Sequence, residues 1–102
     1  MVMFVVKWYV HPSAKDTYAE WAGSITQRLL KVPGVKEFRA YRTAVGDSQV
    51  VVTYEFENMA DFVSWHEQAG DMLQECYERC TNVTSELWGP SPVVPKPIRP
   101  GQ

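Results

Sequence analysis

Residues able to do chemistry gather at two places in this chain. Lys7, Tyr9 and His11 recur at every second position near the start, and Phe62, Trp65 and His66 recur at three- and four-residue spacing further on. The first spacing puts three polar side chains on one face of a strand, and the second puts two rings and an imidazole on one face of a helix. Histidine titrates near neutrality, so His11 and His66 are candidate bases that would take a proton from a substrate. Tyr9 can hydrogen-bond a phenolic or carbonyl oxygen, with Lys7 beside it, while Phe62 and Trp65 can stack on a planar ring. A plainer reading stands beside this one. Lys7 then snorkels at a rim, Tyr9 packs with its hydroxyl at the surface, His11 ends a strand beside Pro12, and His66 is a core histidine with a single hydrogen bond.

Composition narrows the rest. The chain has 102 residues, 45% of them hydrophobic and 22% charged, with a formal charge of -2. That describes one globular domain. No basic stretch is present to track phosphates, so nucleic acid is not an expected partner. The opening MVMFVVKWYV is apolar, yet Lys7 interrupts it and neither a basic leader nor a small-residue cleavage site frames it. A strand accounts for it better than a signal peptide does. No stretch approaches the roughly 20 apolar residues of a membrane span, and a cytoplasmic location without membrane contact is the expectation. Cys76 and Cys80 lie four apart, which stacks them on one helix face and suits neither a local disulfide nor a C-x-x-C redox pair. They read as small core residues. With no carboxylate pair, phosphate loop, metal cluster or nucleophile motif, no metal or other cofactor is expected.

The elements that must position these groups follow from periodicity. Across 1–11, Val2, Phe4, Val6, Trp8 and Val10 alternate with Met3, Val5, Lys7, Tyr9 and His11. One face of this strand is wholly apolar and the other mostly so. A two-layer protein has helices for one side of its sheet only. The second side is most simply covered by a second copy, which predicts a homodimer through the sheet face. Ser13 is a natural N-cap, and Tyr18, Trp21, Ala22, Ile25, Leu29 and Val32 form a helical stripe ended by Pro33-Gly34. Strands at 35–43 and 49–57 are joined by the turn-forming residues 44–48. In the first, Phe38 and Ala40 oppose Glu37, Arg39 and Tyr41, a solvated face; the second is a β-branched, aromatic run suited to the sheet's centre. Asn58 caps a second helix whose inward stripe is Phe62, Trp65, His66, Ala69, Leu73, Cys76 and Cys80, with Gly70 as a kink or split. Residues 81–88 read as an edge strand. Of the four tryptophans, Trp8 and Trp21 read as packing.

The sum is β-α-β-β-α-β, a ferredoxin-like α+β fold. It predicts a four-stranded antiparallel sheet with two helices on one face and the first and third strands in the middle. This domain spans 1–88. The remainder, 89–102, carries Pro90, Pro92, Pro95, Pro97 and Pro100, which leave it an extended polyproline-like arm or disorder. Its Val93, Val94 and Ile98 suggest that part of it lies across a neighbouring subunit.

The run Val51-Val52-Thr53-Tyr54-Glu55-Phe56-Glu57-Asn58, with Ala60, Phe62 and Trp65 after it, resembles the dimeric α/β-barrel superfamily, in particular its antibiotic-biosynthesis-monooxygenase-type domains. Val32-Pro33-Gly34-Val35 is similar to the step before their second strand. The resemblance covers 2–88 and implies a homodimer whose sheets close into a barrel. It also implies kinship with cofactor-independent monooxygenases that oxidise polycyclic phenols, with haem-degrading oxygenases and with proteins of no known reaction. In the haem-degrading branch a first-strand asparagine, a second-helix tryptophan and a later histidine form the site. Trp65 matches that tryptophan, but Tyr9 and Gln74 stand at the other two places, so haem degradation is not implied.

Two functions from different classes fit these readings. One is a cofactor-independent monooxygenase acting on a small phenolic or quinone-like substrate, deprotonated by His11 or His66 and bound by Lys7, Tyr9, Phe62 and Trp65. The other is a non-catalytic ligand-binding or structural homodimer. An epimerase-like protein is a weaker third, since it needs an acid and a base on facing sides of a sugar. An open cavity between sheet and helices favours the first, and a space packed solid favours the second.

Overall fold

The alternation of the first strand decides the layers. In the computed structural model, which describes residues 1–46 and 49–101, β1 (Val2–Val10) turns Phe4, Val6 and Trp8 into the core and Met3, Val5 and Lys7 the other way. A turn of 3-10 helix (Pro12–Ala14) leads to α1 (Tyr18–Lys31), and β2 (Val35–Arg42) and β3 (Val50–Phe56) follow. The chain closes with α2 (Met59–Gln68), α3 (Gly70–Arg79) and β4 (Cys80–Trp88). The strands form one antiparallel sheet in the order β2-β3-β1-β4, so β1 and β3 hold the middle, as the element order requires. The helices share one face. The tight turn at 44–48, assigned from sequence, lies partly outside the described residues, because Asp47 and Ser48 are among those not described.

Two local readings change, at Ser13 and His66, and the kink or split read at Gly70 is a split. The second helix is two helices, α2 and α3, broken at Ala69 (φ -88°, ψ 1°) immediately before Gly70. Ala69 N–H still reaches Trp65 O at 2.8 Å and Leu73 N–H reaches Ala69 O at 2.9 Å, so the chain bends while keeping its backbone bonds. Ser13 does not cap α1. Instead, the His11 ring caps the 3-10 turn, accepting Ser13 N–H at 3.2 Å, and α1 begins at Tyr18 after Thr17. Pro12, with its fixed φ and missing donor, is suited to that early start. His66 is exposed rather than part of the inward stripe, which runs through Trp65, Ala69 and Leu73.

The helix-free face of the sheet is more polar than β1 alone suggests. Val5 (1% exposed) and Thr53 pair at its centre. Around them stand Met3, Glu37, Arg39, Tyr41 and Glu55, and Lys7 pairs with Glu86 at 3.4 Å. Residues 89–101 form no helix or strand and are exposed throughout. No helix among the described residues is long and apolar enough to cross a membrane.

Candidate functional site

The six residues singled out in the sequence do not converge. Lys7 belongs to the helix-free face, bonded to Glu86, and Tyr9 borders an open groove beside the β2–β3 hairpin with Tyr41 and Gln49. His11 is exposed at the strand end with Ser13 Oγ 2.6 Å from its Nδ1. Those three therefore sit away from the helices. Phe62, Trp65 and His66 stay together on α2: the Phe62 and His66 rings lie 5.3 Å apart, and Phe4 meets both. Trp65 is wholly buried, and its indole N–H donates to Leu29 O at 3.0 Å. That bond ties α2 to the end of α1. Gly34 (φ +127°) passes directly beneath, where a Cβ would come within 3.2 Å of Asp61 O and 3.5 Å of Trp65 Cβ. The Pro-Gly step and the tryptophan are one packing unit.

A cavity of about 510 Å³ opens instead under α1. The sheet provides its floor through Trp8, Phe38, Ala40, Val50, Val52 and Tyr54; α1 roofs it with Tyr18, Trp21, Ala22 and Ile25; Cys76 of α3 closes one side. Small residues make the space. Ala22 and Gly23 on the helix stand over Ala40 on β2, and a Cβ added at Gly23 would touch nothing within 4 Å. Farther along α1, Ile25 and Leu29 are buried in the core and hold the helix to the sheet. Near its start, Tyr18 props it: Trp8 Nε1–H donates to the Tyr18 hydroxyl oxygen at 3.1 Å.

The outer corner of the cavity is clamped by charge. Trp21 Nε1–H donates to Glu75 Oε1 at 2.8 Å, and Arg28 Nη2 reaches both oxygens of that carboxylate at 3.0 and 3.1 Å. The Arg79 guanidinium lies 5.4 Å from the centre of the Trp21 ring, within cation–π range. The Trp21 and Arg28 donors hold the Glu75 carboxyl below its ordinary range. Inside the cavity the opposite occurs. Burial pushes the Cys76 thiol up to about 11, with Cys80 and Glu75 adding to it, and burial raises the Tyr54 and Tyr18 phenols above their ordinary value. All three are therefore protonated at neutral pH. Trp8 and Trp21, read from sequence as packing, are walls here, and so are Tyr18 and Tyr54, read from sequence only as members of a helical stripe and a strand run. Their signal was a tyrosine at a core position facing Ala and Gly, where a hydroxyl needs a partner and the neighbours leave room.

The sequence profile described as antibiotic biosynthesis monooxygenase matches residues 1–74. The chain belongs to that family. The matched span includes every cavity wall except Cys76. A search of curated proteins finds no match. Among solved structures, the chain is similar to a DABB family protein with a ferredoxin-like fold from Mesorhizobium loti (TM-score 0.75, 14% identity, 88% of this chain and 96% of that one). It is also similar to the hydroxynitrile lyase of Passiflora edulis (TM-score 0.73, 15% identity, 85% and 90%). A third is a dimeric ferredoxin-like protein of unknown function from Thermobifida fusca (TM-score 0.70, 10% identity, 86% and 89%). At such identities the likeness is one of fold, and it agrees with the ferredoxin-like layout of this monooxygenase-family domain.

Proposed function

We propose that the protein is a cofactor-independent monooxygenase of this family, oxidising a small phenolic or quinone-like aromatic compound held between α1 and the sheet. The cavity carries the reading. Its volume of about 510 Å³ lies within the roughly 300–1,000 Å³ usual for small-molecule sites, and its walls are mostly aromatic and aliphatic. Neither His11 nor His66 lines it, so substrate deprotonation by either would have to occur outside this space. A substrate that arrives as its phenolate needs no such base. In the reaction, a ring C–H para to the phenolic oxygen becomes a second carbonyl. One atom of dioxygen enters the ring and the other leaves as water, giving the quinone. The apolar lining keeps water from the electron-rich ring.

The homodimer through the helix-free sheet face belongs to the same reading. It is supported by the buried Val5–Thr53 centre of that face and by the dimeric relative from Thermobifida fusca. In such a dimer the α1 cavity stays on the outer, helical side.

Oxygen uptake with a panel of hydroxynaphthalenes and hydroxyquinones tests the proposal, with wild type compared against Ala40→Trp, which fills the floor of the cavity. Uptake with at least one compound, lost in the filled variant, is the expected result. Uptake unchanged in a folded Ala40→Trp protein would place the chemistry elsewhere. Compounds that bind without uptake would favour the non-catalytic binding protein.

A further inference from the structure

The floor of the α1 cavity continues past its mouth. Arg42, Val50 and Trp8 are successive cross-strand partners on β2, β3 and β1, so their side chains rise on one face of the sheet, the helical one. Val50 and Trp8 belong to the cavity floor. Arg42 is next in that row, and it lies two residues, about 7 Å, beyond Ala40 on the same face of β2. There the open groove beside the hairpin begins, with a volume of about 680 Å³, and Ala40 and Val50 line both spaces. Thr43 lines the groove as well, and its Oγ1 is buried with no hydrogen-bond partner among the described residues. A buried hydroxyl left unpartnered is costly, so an oxygen brought into the groove would be stabilised there.

Charge singles out Arg42. Among the described residues that line the cavity and the groove it is the one charged side chain. It also takes no part in the ion pairs among the described residues, which join Lys7 to Glu86, Arg28 to Glu75, Lys36 to Glu57 and Arg39 to Glu37. The neutral polar walls, Thr26, Gln27 and Tyr18 among them, can each donate or accept, so they do not sort ligands by charge. We infer that Arg42 anchors a carboxylate on the ligand, so that the joined spaces take planar aromatic acids with the ring under α1 and the acid group in the groove. This rests on the α1 cavity being the ligand site, and it adds an ionised substituent and the end of the ligand that carries it. The planar guanidinium fork matches the two oxygens of a carboxylate. A single guanidinium balances one negative charge, which favours a carboxylate over a doubly charged phosphate ester.

Two probes of nearly equal shape isolate the claim: 2-naphthoic acid, a carboxylate at neutral pH, and 2-naphthamide, its neutral counterpart. Each is titrated by NMR into the 15N-labelled full chain as wild type, Arg42→Gln and Lys96→Gln. The last removes a positive charge from the proline-rich arm and controls for attraction by charge alone. Shifts at Gly23 and Val52 report the cavity, and shifts at Thr43 and Gly46 report the groove. Wild type should bind the acid about fivefold more tightly than the amide, with both sets of residues shifting, and added salt should narrow the gap. Arg42→Gln should bring the acid down to the level of the amide, while Lys96→Gln should keep the preference. Equal affinities in wild type, with Gly23 and Val52 shifting, overturn the Arg42 anchor and leave the cavity intact as a site. A preference for the acid that survives Arg42→Gln, or that Lys96→Gln abolishes, overturns it too. Failure of both probes to perturb Gly23 or Val52 removes the cavity reading itself, and this inference with it.

Discussion

The two halves of the space under the sheet are built from the same kinds of residue and end in opposite states. Beneath α2, Trp65 packs against Phe4, Tyr54 and Phe56 with centroids 4.9–6.1 Å apart, and its one polar atom is bonded to Leu29 O. Beneath α1, Trp8, Tyr18 and Trp21 stand around a hollow of about 510 Å³. The difference lies in what faces the rings. On the α2 side one large ring meets another; on the α1 side the rings meet Ala22, Gly23 and Ala40. Filling gives stability, and hollowness held open by bonded aromatic props gives a site.

The largest expected consequence is in stability. Trp65→Ala should cost about 3–5 kcal/mol in urea denaturation, since it leaves a void in the filled half. Tyr54→Phe, whose hydroxyl has no hydrogen-bond partner to lose among the described residues, should stay within about 1 kcal/mol of wild type. Equal losses in the two variants would break the contrast. Next in size is a chemical rate. With its thiol pushed from 9.0 to about 11 by burial, Cys76 should react with iodoacetamide at pH 8 roughly a hundredfold more slowly than an ordinary thiol. The rate should climb about tenfold per pH unit towards 11. Peptide mapping after timed alkylation measures it, and an ordinary rate would mean that water fills the cavity.

The filled half was legible in the sequence, and the hollow half was not. Strict alternation in β1, the Pro33-Gly34 stop and the Phe62–Trp65 spacing each depend on local periodicity, and together they gave the sheet order. The split at Gly70 was visible as well. The two candidate groups do not meet within one chain, for a geometric reason: Lys7, Tyr9 and His11 lie on the strand parity opposite Phe4, Val6 and Trp8, so the sheet itself separates them from Trp65. Period two gives which residues share a face, but not which face receives the helices. The cavity depends on how far α1 stands from β2 and β3. That distance is a sum of side-chain sizes on three elements far apart in the chain, and no local pattern records it.

Two glycines offer the same contrast at smaller scale. Gly34 has φ +127° and packs under Trp65, so Gly34→Ala should cost about 1–2 kcal/mol through backbone strain. Gly23 sits inside α1 beside open space, and Gly23→Ala should stabilise by about 0.5–1 kcal/mol through helix propensity. Thermal melts of the two variants read opposite signs. If both destabilise, α1 is packed more closely than the cavity allows.

The smallest effect concerns what keeps the hollow half open. Glu75 joins α1 to α3 through Trp21 and Arg28, and those donors lower its pKa. A carboxyl lowered in the folded state contributes stability that is fully present above its unfolded value of 4.5 and lost as pH falls through the lower folded value. Wild type should therefore lose more stability between pH 6 and pH 3 than Glu75→Gln, which has no carboxylate to protonate there. Because the pair is largely exposed, the difference should stay below about 1 kcal/mol and shrink with salt. Tryptophan fluorescence can follow Trp21 over the same range. A change at acid pH in wild type that is absent from Glu75→Gln would tie the cavity wall to this one carboxylate, whereas identical pH profiles would leave α1 held by Ile25, Leu29 and the Tyr18–Trp8 prop alone.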